Sequence, residues 1–152
     1  MVQEDKELLL KDLCARLPYG VKIETEYFTK ATLIEIRKNI SYSACKDLLV
    51  TYDISGEETP YQSEQRSSTI GKIKPYLFPL SSMTEEQCRK FKIISGWDGE
   101  WEDIKRGKFS CIGYIGLDYI YDTVDWLNKN HFDYRGLIEK GLAIDATELN
   151  IY

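Results

Sequence analysis

The chain has 152 residues, of which 43% are hydrophobic and 30% charged, and its formal net charge is −5. This composition is typical of a soluble globular protein and excludes collagen-like, coiled-coil-only and fully disordered chains. A chain of this length buries enough surface to form a hydrophobic core without disulfides. We therefore expect residues 1–152 to form a single domain.

Residues 4–17 are predicted to form the first helix, because leucines recur at helical spacing and acidic residues lie near its start. Pro18 and Gly20 are expected to end it. Alternation of polar and apolar residues with a period of two then predicts strands. We expect three antiparallel neighbours, at residues 21–27, 32–37 and 48–53, and a short fourth strand at residues 68–73.

Residues 55–69 are polar and predict a long exposed loop. The next segment, 75–80, is apolar and bounded by two prolines, so we expect an extended linker that crosses the core. Ser82 and Glu85 have the spacing of a capping box, which predicts a helix over residues 83–94.

The C-terminal part is predicted from weaker patterns. Asp133 is expected to cap a short helix, and Gly141 is expected to end it. The predicted elements are a strand at 109–115, a helix from Asp122 or Thr123 to Asn130, and a helix at 134–140.

Together these elements predict an α+β fold. Its parts are an N-terminal helix, a small antiparallel β-sheet or barrel, a linking helix and a C-terminal helical hairpin. Residues 1–80 contain the first helix and the β-rich part with loop 55–69, and residues 81–152 are mostly helical.

Composition also limits location and partners. The N-terminus carries acidic residues where a signal peptide is positive, and no apolar run approaches about 18 residues, so we expect a cytoplasmic protein without membrane contact. Residues 81–152 hold 9 basic and 13 acidic side chains, which argues against nucleic-acid binding because that depends on basic patches. Four widely spaced cysteines and one histidine predict reduced thiols, not a zinc site.

No residue pattern predicts catalysis. His131 is the only histidine, and its nearest acid, Asp133, is better explained as a helix cap. The acidic turn of residues 98–103 lacks the ligand spacing of a calcium loop and is interpreted as solvated. We therefore expect no catalytic residue, no cofactor and no metal site.

Aromatic residues give the candidate binding site. Three aromatic residues lie in predicted turns, where burial in the core is less expected: Tyr61, Trp97 and Trp101. There they could contact a protein or stack on a base. His131, Tyr134 and Arg135 form a second group. Arg135 near a helix start, with tyrosines close by, could hold an anionic, stackable ligand.

Three stretches carry a resemblance to known proteins: KDLCARLPYGV at 11–21, IKPYLFPLSSMT at 73–84 and HFDYRGLIEKGLAID at 131–145. They resemble a group of small uncharacterised proteins from gut bacteria, their prophages and their phages. The resemblance brings no assigned chemistry. It implies a phage-type accessory protein that acts in the bacterial cytoplasm.

The leading hypothesis is a non-enzymatic phage or prophage accessory protein that binds a host protein or ligand and modulates host physiology or defence. One alternative is a protein that sequesters a small ligand such as a nucleotide. A second is a metal-dependent hydrolase that uses Asp98, Glu100 or His131. A third is a nucleic-acid-binding module. The sequence leaves the oligomeric state open.

Overall fold

The structure is a computed structural model that describes residues 1–38, 48–54, 65–108 and 117–152. These residues form four α-helices and a seven-stranded sheet, which confirms the α+β class. The sheet is open and mixed, so the predicted barrel and the wholly antiparallel arrangement are not confirmed. Predicted strand 109–115 and Tyr61 lie outside the described residues.

The helices are α1 (Gln3–Arg16), α2 (Glu85–Ser95), α3 (Trp101–Lys105) and α4 (Leu117–Lys129). The strands are β1 (Lys22–Thr25), β2 (Ala31–Lys38), β3 (Leu48–Asp53), β4 (Gln65–Thr69), β5 (Ile73–Pro79), β6 (Phe132–Asp133) and β7 (Ile144–Asp145). Their order is β4-β3-β2-β1-β5-β6, and β7 also pairs with β5. Strands β1 to β5 pair antiparallel with their neighbours, whereas β6 and β7 run parallel to β5.

Helix α1 packs on the sheet through its apolar face. Leu9 and Leu13 are fully buried in one cluster with Val21 and Ile23 of the sheet region. Each such side chain stabilises the fold by roughly 1.5–3 kcal/mol relative to an exposed one. A turn of 3-10 helix follows α1, and Gly20 then adopts a left-handed backbone with φ of 62°, as expected for a glycine that ends a helix.

The segment predicted as a linker, 75–80, is mostly strand β5. Pro75 lies opposite Ile23 of β1, and the far end of β5 pairs with β6. Proline excludes a helix interior, but its fixed φ fits extended backbone. The predicted extended conformation is confirmed, but the segment is a strand of the sheet and the interpretation as a linker was wrong. The later part of the predicted loop 55–69 is likewise a strand, β4, while residues 55–64 lie outside the described ones.

Helix α2 begins later than predicted, at Glu85. Its N-cap is Thr84, whose Oγ1 accepts a hydrogen bond from the Gln87 amide at 3.3 Å, while the Thr84 amide donates to Gln87 Oε1 at 2.8 Å. Ser82, the predicted cap, instead donates to the Pro79 carbonyl. Ser82-x-x-Glu85 and Thr84-x-x-Gln87 both fit the capping-box pattern, and the helix begins with Thr84-x-x-Gln87.

Removing this cap is expected to destabilise the protein. We expect Thr84→Ala to lower the free energy of unfolding by about 1 kcal/mol, because an amide of the first turn of α2 loses its acceptor. Urea denaturation followed by circular dichroism measures the difference. Thr84→Ser keeps the hydroxyl and should remain close to the wild type; equal losses in both variants would contradict the capping role.

The C-terminal part differs from the predicted helical hairpin. Helix α4 starts at Leu117, earlier than expected, and no helix forms over residues 134–140. Asp133 still acts as a cap, since its carboxylate accepts hydrogen bonds from the Leu137 and Ile138 amides at 3.0 and 2.8 Å. The chain continues as turns, with Gly136 at a φ of 72°, until it joins the sheet as β7.

Candidate functional site

His131 lies where α4 passes into the sheet. Its amide donates to the Asn128 carbonyl at 3.1 Å, and its own carbonyl accepts from the Phe78 amide of β5 at 2.9 Å. Between these bonds the backbone takes a φ of 57°, which non-glycine residues rarely adopt. The turn thus fixes the His131 ring at the junction of helix and strand.

The His131 imidazole is almost enclosed, with 8% of the residue exposed. It stacks on the Tyr152 ring at 4.1 Å and 12°, and its Nδ1 is buried without a hydrogen-bond partner. Burial, aided by the positive charge of Arg16, lowers the pKa of His131 to about 4. The ring is therefore neutral at neutral pH.

Tyr152 ties this site to the sheet. Its hydroxyl donates to the Tyr76 carbonyl of β5 at 2.8 Å and accepts from the Lys22 amide of β1 at 3.1 Å. Although 46% of the residue is exposed, its hydroxyl end is enclosed, and burial raises the pKa of Tyr152 above its ordinary value. The phenol therefore stays protonated and holds the ring against His131.

A cleft of about 500 Å³ opens beside this pair. Its lining includes four residues with aromatic rings, here called the aromatic wall: Phe78, His131, Phe132 and Tyr152. It also includes five uncharged polar residues, here called the polar wall: Ser82, Thr84, Gln87, Asn130 and Thr147. Lys129 is the one Lys, Arg, Asp or Glu among the described residues that line the cleft. The volume of the cleft lies in the range of small-molecule sites.

Behind Phe132 lies a buried ion cluster formed by Asp12, Arg16 and Arg135. Arg16 donates to the Asp12 carboxylate at 2.7 and 3.0 Å and to the Phe132 carbonyl at 2.8 Å. The side chains of Asp12 and Arg16 are both 0% exposed. Arg135 Nε lies 3.4 Å from Asp12 without forming a hydrogen bond, and the Arg16 Nη1 is also buried without a partner. This cluster fixes β6 from behind and supplies the charge that disfavours protonation of His131.

Tyr134 completes the cluster. Its ring lies under the guanidinium groups of Arg135 and Arg16, at 4.8 and 5.7 Å from the ring centroid. Its hydroxyl accepts from Arg135 at 2.8 Å and donates to Asn128 at 3.0 Å. Tyr134 and Arg135 are thus already engaged with other protein groups, and neither lines the His131 cleft.

The structure brings only part of the predicted binding set together. Trp97 and Trp101 are half-buried and pack against a second core cluster around Phe91, Ile104 and Leu127. Gly99 lies so close to the Trp97 ring that an added Cβ would fall 2.1 Å from it. The tryptophans therefore have a packing role that explains their positions. Of the predicted residues that the structure describes, His131 alone lines the cleft.

Sequence reasoning missed three main contributors to this site. Asp12 and Arg16 lie on the buried face of α1 at i, i+4 spacing, and this placement of opposite charges within an apolar stripe was a usable signal. Tyr152 gave no local signal, because its partners are distant in sequence.

A second cleft, of about 680 Å³, lies near Tyr27, Tyr52 and Arg66. It is larger, but among the described residues its lining includes no buried polar group that lacks a partner. The described residues also contain no group of three or more His, Cys, Asp or Glu side chains placed to hold a metal ion. The His131 cleft is therefore the better candidate for a ligand site.

Comparison of the chain with family models, with curated proteins and with solved structures found no match. Among the described helices, none is long and apolar enough to span a membrane.

The burial of His131 has a consequence for pH dependence. The unfolded chain binds a proton at His131 near pH 6.5, whereas the folded chain binds it only near pH 4. We therefore expect the stability contributed by neutral His131 to be complete above pH 6.5 and to be lost progressively as the pH falls towards 4. Urea titrations from pH 7.5 to 4 measure this slope.

His131→Asn provides the comparison, because asparagine tolerates the left-handed backbone and does not titrate in this window. The difference in free energy of unfolding between the wild type and the variant should shrink as the pH falls from 6.5 to 4. Parallel stability curves would show that the folded state does not resist protonation of His131.

Proposed function

We propose that this protein is a non-catalytic binding protein that takes one small polar ligand in the His131 cleft. The observation that carries this proposal is the neutral imidazole of His131, a buried residue of the cleft lining whose Nδ1 has no hydrogen-bond partner among the described residues. Unpartnered buried polar atoms are rare in folded proteins and point to an interaction that the protein alone does not complete.

Binding without chemistry is favoured by the surroundings of His131. A general base needs a pKa near the working pH and an orienting group on its second nitrogen, whereas His131 has a pKa of about 4 and no partner at Nδ1. The described lining of the cleft includes no Asp or Glu side chain. The Ser82 hydroxyl donates to the Pro79 carbonyl, which cannot act as a base towards it. The Thr147 hydroxyl donates to the Asp145 carboxylate at 2.6 Å, and the Thr147 amide donates to the same oxygen at 2.9 Å, as in a local turn.

The biological setting is proposed from the resemblance to proteins of gut bacteria and their phages. In that setting the protein acts in the bacterial cytoplasm as an accessory protein, and its ligand comes from the host. A cleft with one charged residue suits a metabolite or signal molecule better than a nucleic-acid strand, because strand binding depends on a basic groove.

The experiment uses the single histidine as a reporter. The full chain is screened by thermal shift against a defined set of nucleosides, mononucleotides, aromatic amino acids and monosaccharides, and positive compounds are measured by calorimetry. Since His131 is the only histidine, one set of imidazole NMR signals reports on the cleft. We expect at least one compound class to bind, to shift the His131 signals and to be recovered chemically unchanged.

Filling the cleft provides the control. Thr147→Trp places a large side chain at the exposed edge of the cleft and should abolish both binding and the shift of His131. Thr29→Trp makes the same substitution at an exposed threonine outside the cleft and should leave binding intact. If no compound in the set binds, or if the bound compound is converted, the proposed function is wrong.

A further inference from the structure

We infer that the ligand of the His131 cleft carries a planar heteroaromatic ring and one anionic group, and that it is about as large as a mononucleotide. This inference rests on the proposed function and names the class of ligand. It follows from the chemistry of the two walls, from the single charge of the lining and from the volume of the cleft.

The aromatic wall provides the surface for a ring. Its rings form a connected series: His131 stacks on Tyr152 at 4.1 Å, Tyr152 lies 5.8 Å from Phe78, and Phe78 lies 6.3 Å from Phe132. Phe132 and His131 are buried and support the series from within, so the ring surface open to a ligand is mainly that of Tyr152 and Phe78. Base stacking on such side chains is worth about 1–3 kcal/mol per ring and tolerates any flat π-system.

The polar wall provides hydrogen bonds of both kinds. Gln87 uses its Oε1 to accept from the Thr84 amide, and Asn130 uses its Nδ2 to donate to the Trp126 carbonyl at 2.8 Å. These bonds leave one amide donor, Gln87 Nε2, and one amide acceptor, Asn130 Oδ1, without a partner among the described residues. A heteroaromatic ring with a donor and an acceptor on its edge matches this pair, whereas a hydrocarbon ring would leave both unsatisfied.

The charge of the cleft favours one anionic group. Lys129 is the charged residue of its described lining. Acidic residues adjoin lining residues in the chain at Glu85, Glu86, Asp133 and Glu148. Glu85 and Glu86 are paired with Arg89 at 2.6 Å and Lys90 at 2.8 Å, and Asp133 accepts from the Leu137 and Ile138 amides. Lys129 is the one basic side chain of the described lining, and a single phosphate or carboxylate on the ligand would pair with it.

The test compares three probes: AMP, adenosine and inorganic phosphate. Calorimetry with the full chain should give tightest binding for AMP, weaker binding for adenosine and none for phosphate alone. Lys129→Met should weaken AMP binding by about tenfold, the effect of one charge-assisted hydrogen bond, and should change adenosine binding by less than about threefold. Lys11→Met, at an exposed lysine on α1 outside the cleft, should change neither.

Each contrary result has a distinct meaning. If AMP and adenosine bind equally tightly, or if Lys129→Met weakens both equally, the inference that the ligand carries an anionic group is wrong. If phosphate binds as tightly as AMP, the inference that the ligand carries an aromatic ring is wrong. If none of the three binds but another class in the screen shifts the His131 signals, the ligand class is wrong and the proposed function stands. If nothing shifts them, the proposed function itself has failed.

Discussion

Asp12→Ala is expected to lower the free energy of unfolding by about 3–5 kcal/mol, because it leaves the charge of Arg16 buried without its carboxylate. Arg16 would keep a single hydrogen bond to the Phe132 carbonyl, and its Nη1 already lacks a partner. Arg135 would lose its contact with Asp12 at the same time. Urea denaturation followed by far-ultraviolet circular dichroism at neutral pH measures the loss.

Two comparisons separate a buried unpaired charge from simple loss of packing. The double variant Asp12→Leu with Arg16→Met removes both charges and should be more stable than Asp12→Ala, since apolar replacement of a buried pair is often neutral. Glu4→Ala removes an exposed acid from the same helix and should stay within about 0.5 kcal/mol of the wild type. A double variant as unstable as the single one would contradict the electrostatic explanation.

Phe132→Ala is expected to lower the free energy of unfolding by about 3–5 kcal/mol and to alter the cleft as well. Phe132 is 1% exposed, stacks on Trp126 at 5.7 Å and forms part of the aromatic wall. Its removal leaves a cavity between α4 and the sheet and changes the aromatic wall to which His131 also belongs. Denaturation measures the stability, and the single set of imidazole NMR signals measures the change at His131.

Phe132→Leu keeps most of the apolar volume and should cost clearly less than alanine. Both variants should shift the His131 signals, because both replace the residue that follows His131 in the chain and remove a ring from the aromatic wall. A loss below about 1 kcal/mol in Phe132→Ala would mean that the site collapses to fill the space, contrary to the packing described above.

Local patterns predicted the N-terminal half of the fold well. The apolar stripe of α1 and the alternation in β1, β2 and β3 are strong periodic signals, and each element forms at the expected place. Prediction failed where one pattern fits two structures. Two overlapping capping boxes compete at the start of α2, and prolines that exclude a helix still allow the extended strand β5.

The candidate site was harder to predict because its contacts are long-range. The single histidine marked His131, and the cap at Asp133 was correct in kind although no helix follows it. The partners of Tyr152 on β1 and β5 lie 130 and 76 residues away in sequence, and no local pattern encodes such pairings. The same holds for the Phe132 carbonyl that Arg16 reaches across 116 residues.

All three tryptophans of the chain, Trp97, Trp101 and Trp126, pack around the second core cluster, whereas the cluster between α1 and the sheet contains none. Intrinsic indole fluorescence therefore observes the melting of one core alone, while amide dichroism observes the backbone of both. If the two probes give the same midpoint in urea, the cores unfold as one cooperative unit; separate midpoints would reveal a half-folded species and identify which core survives in it.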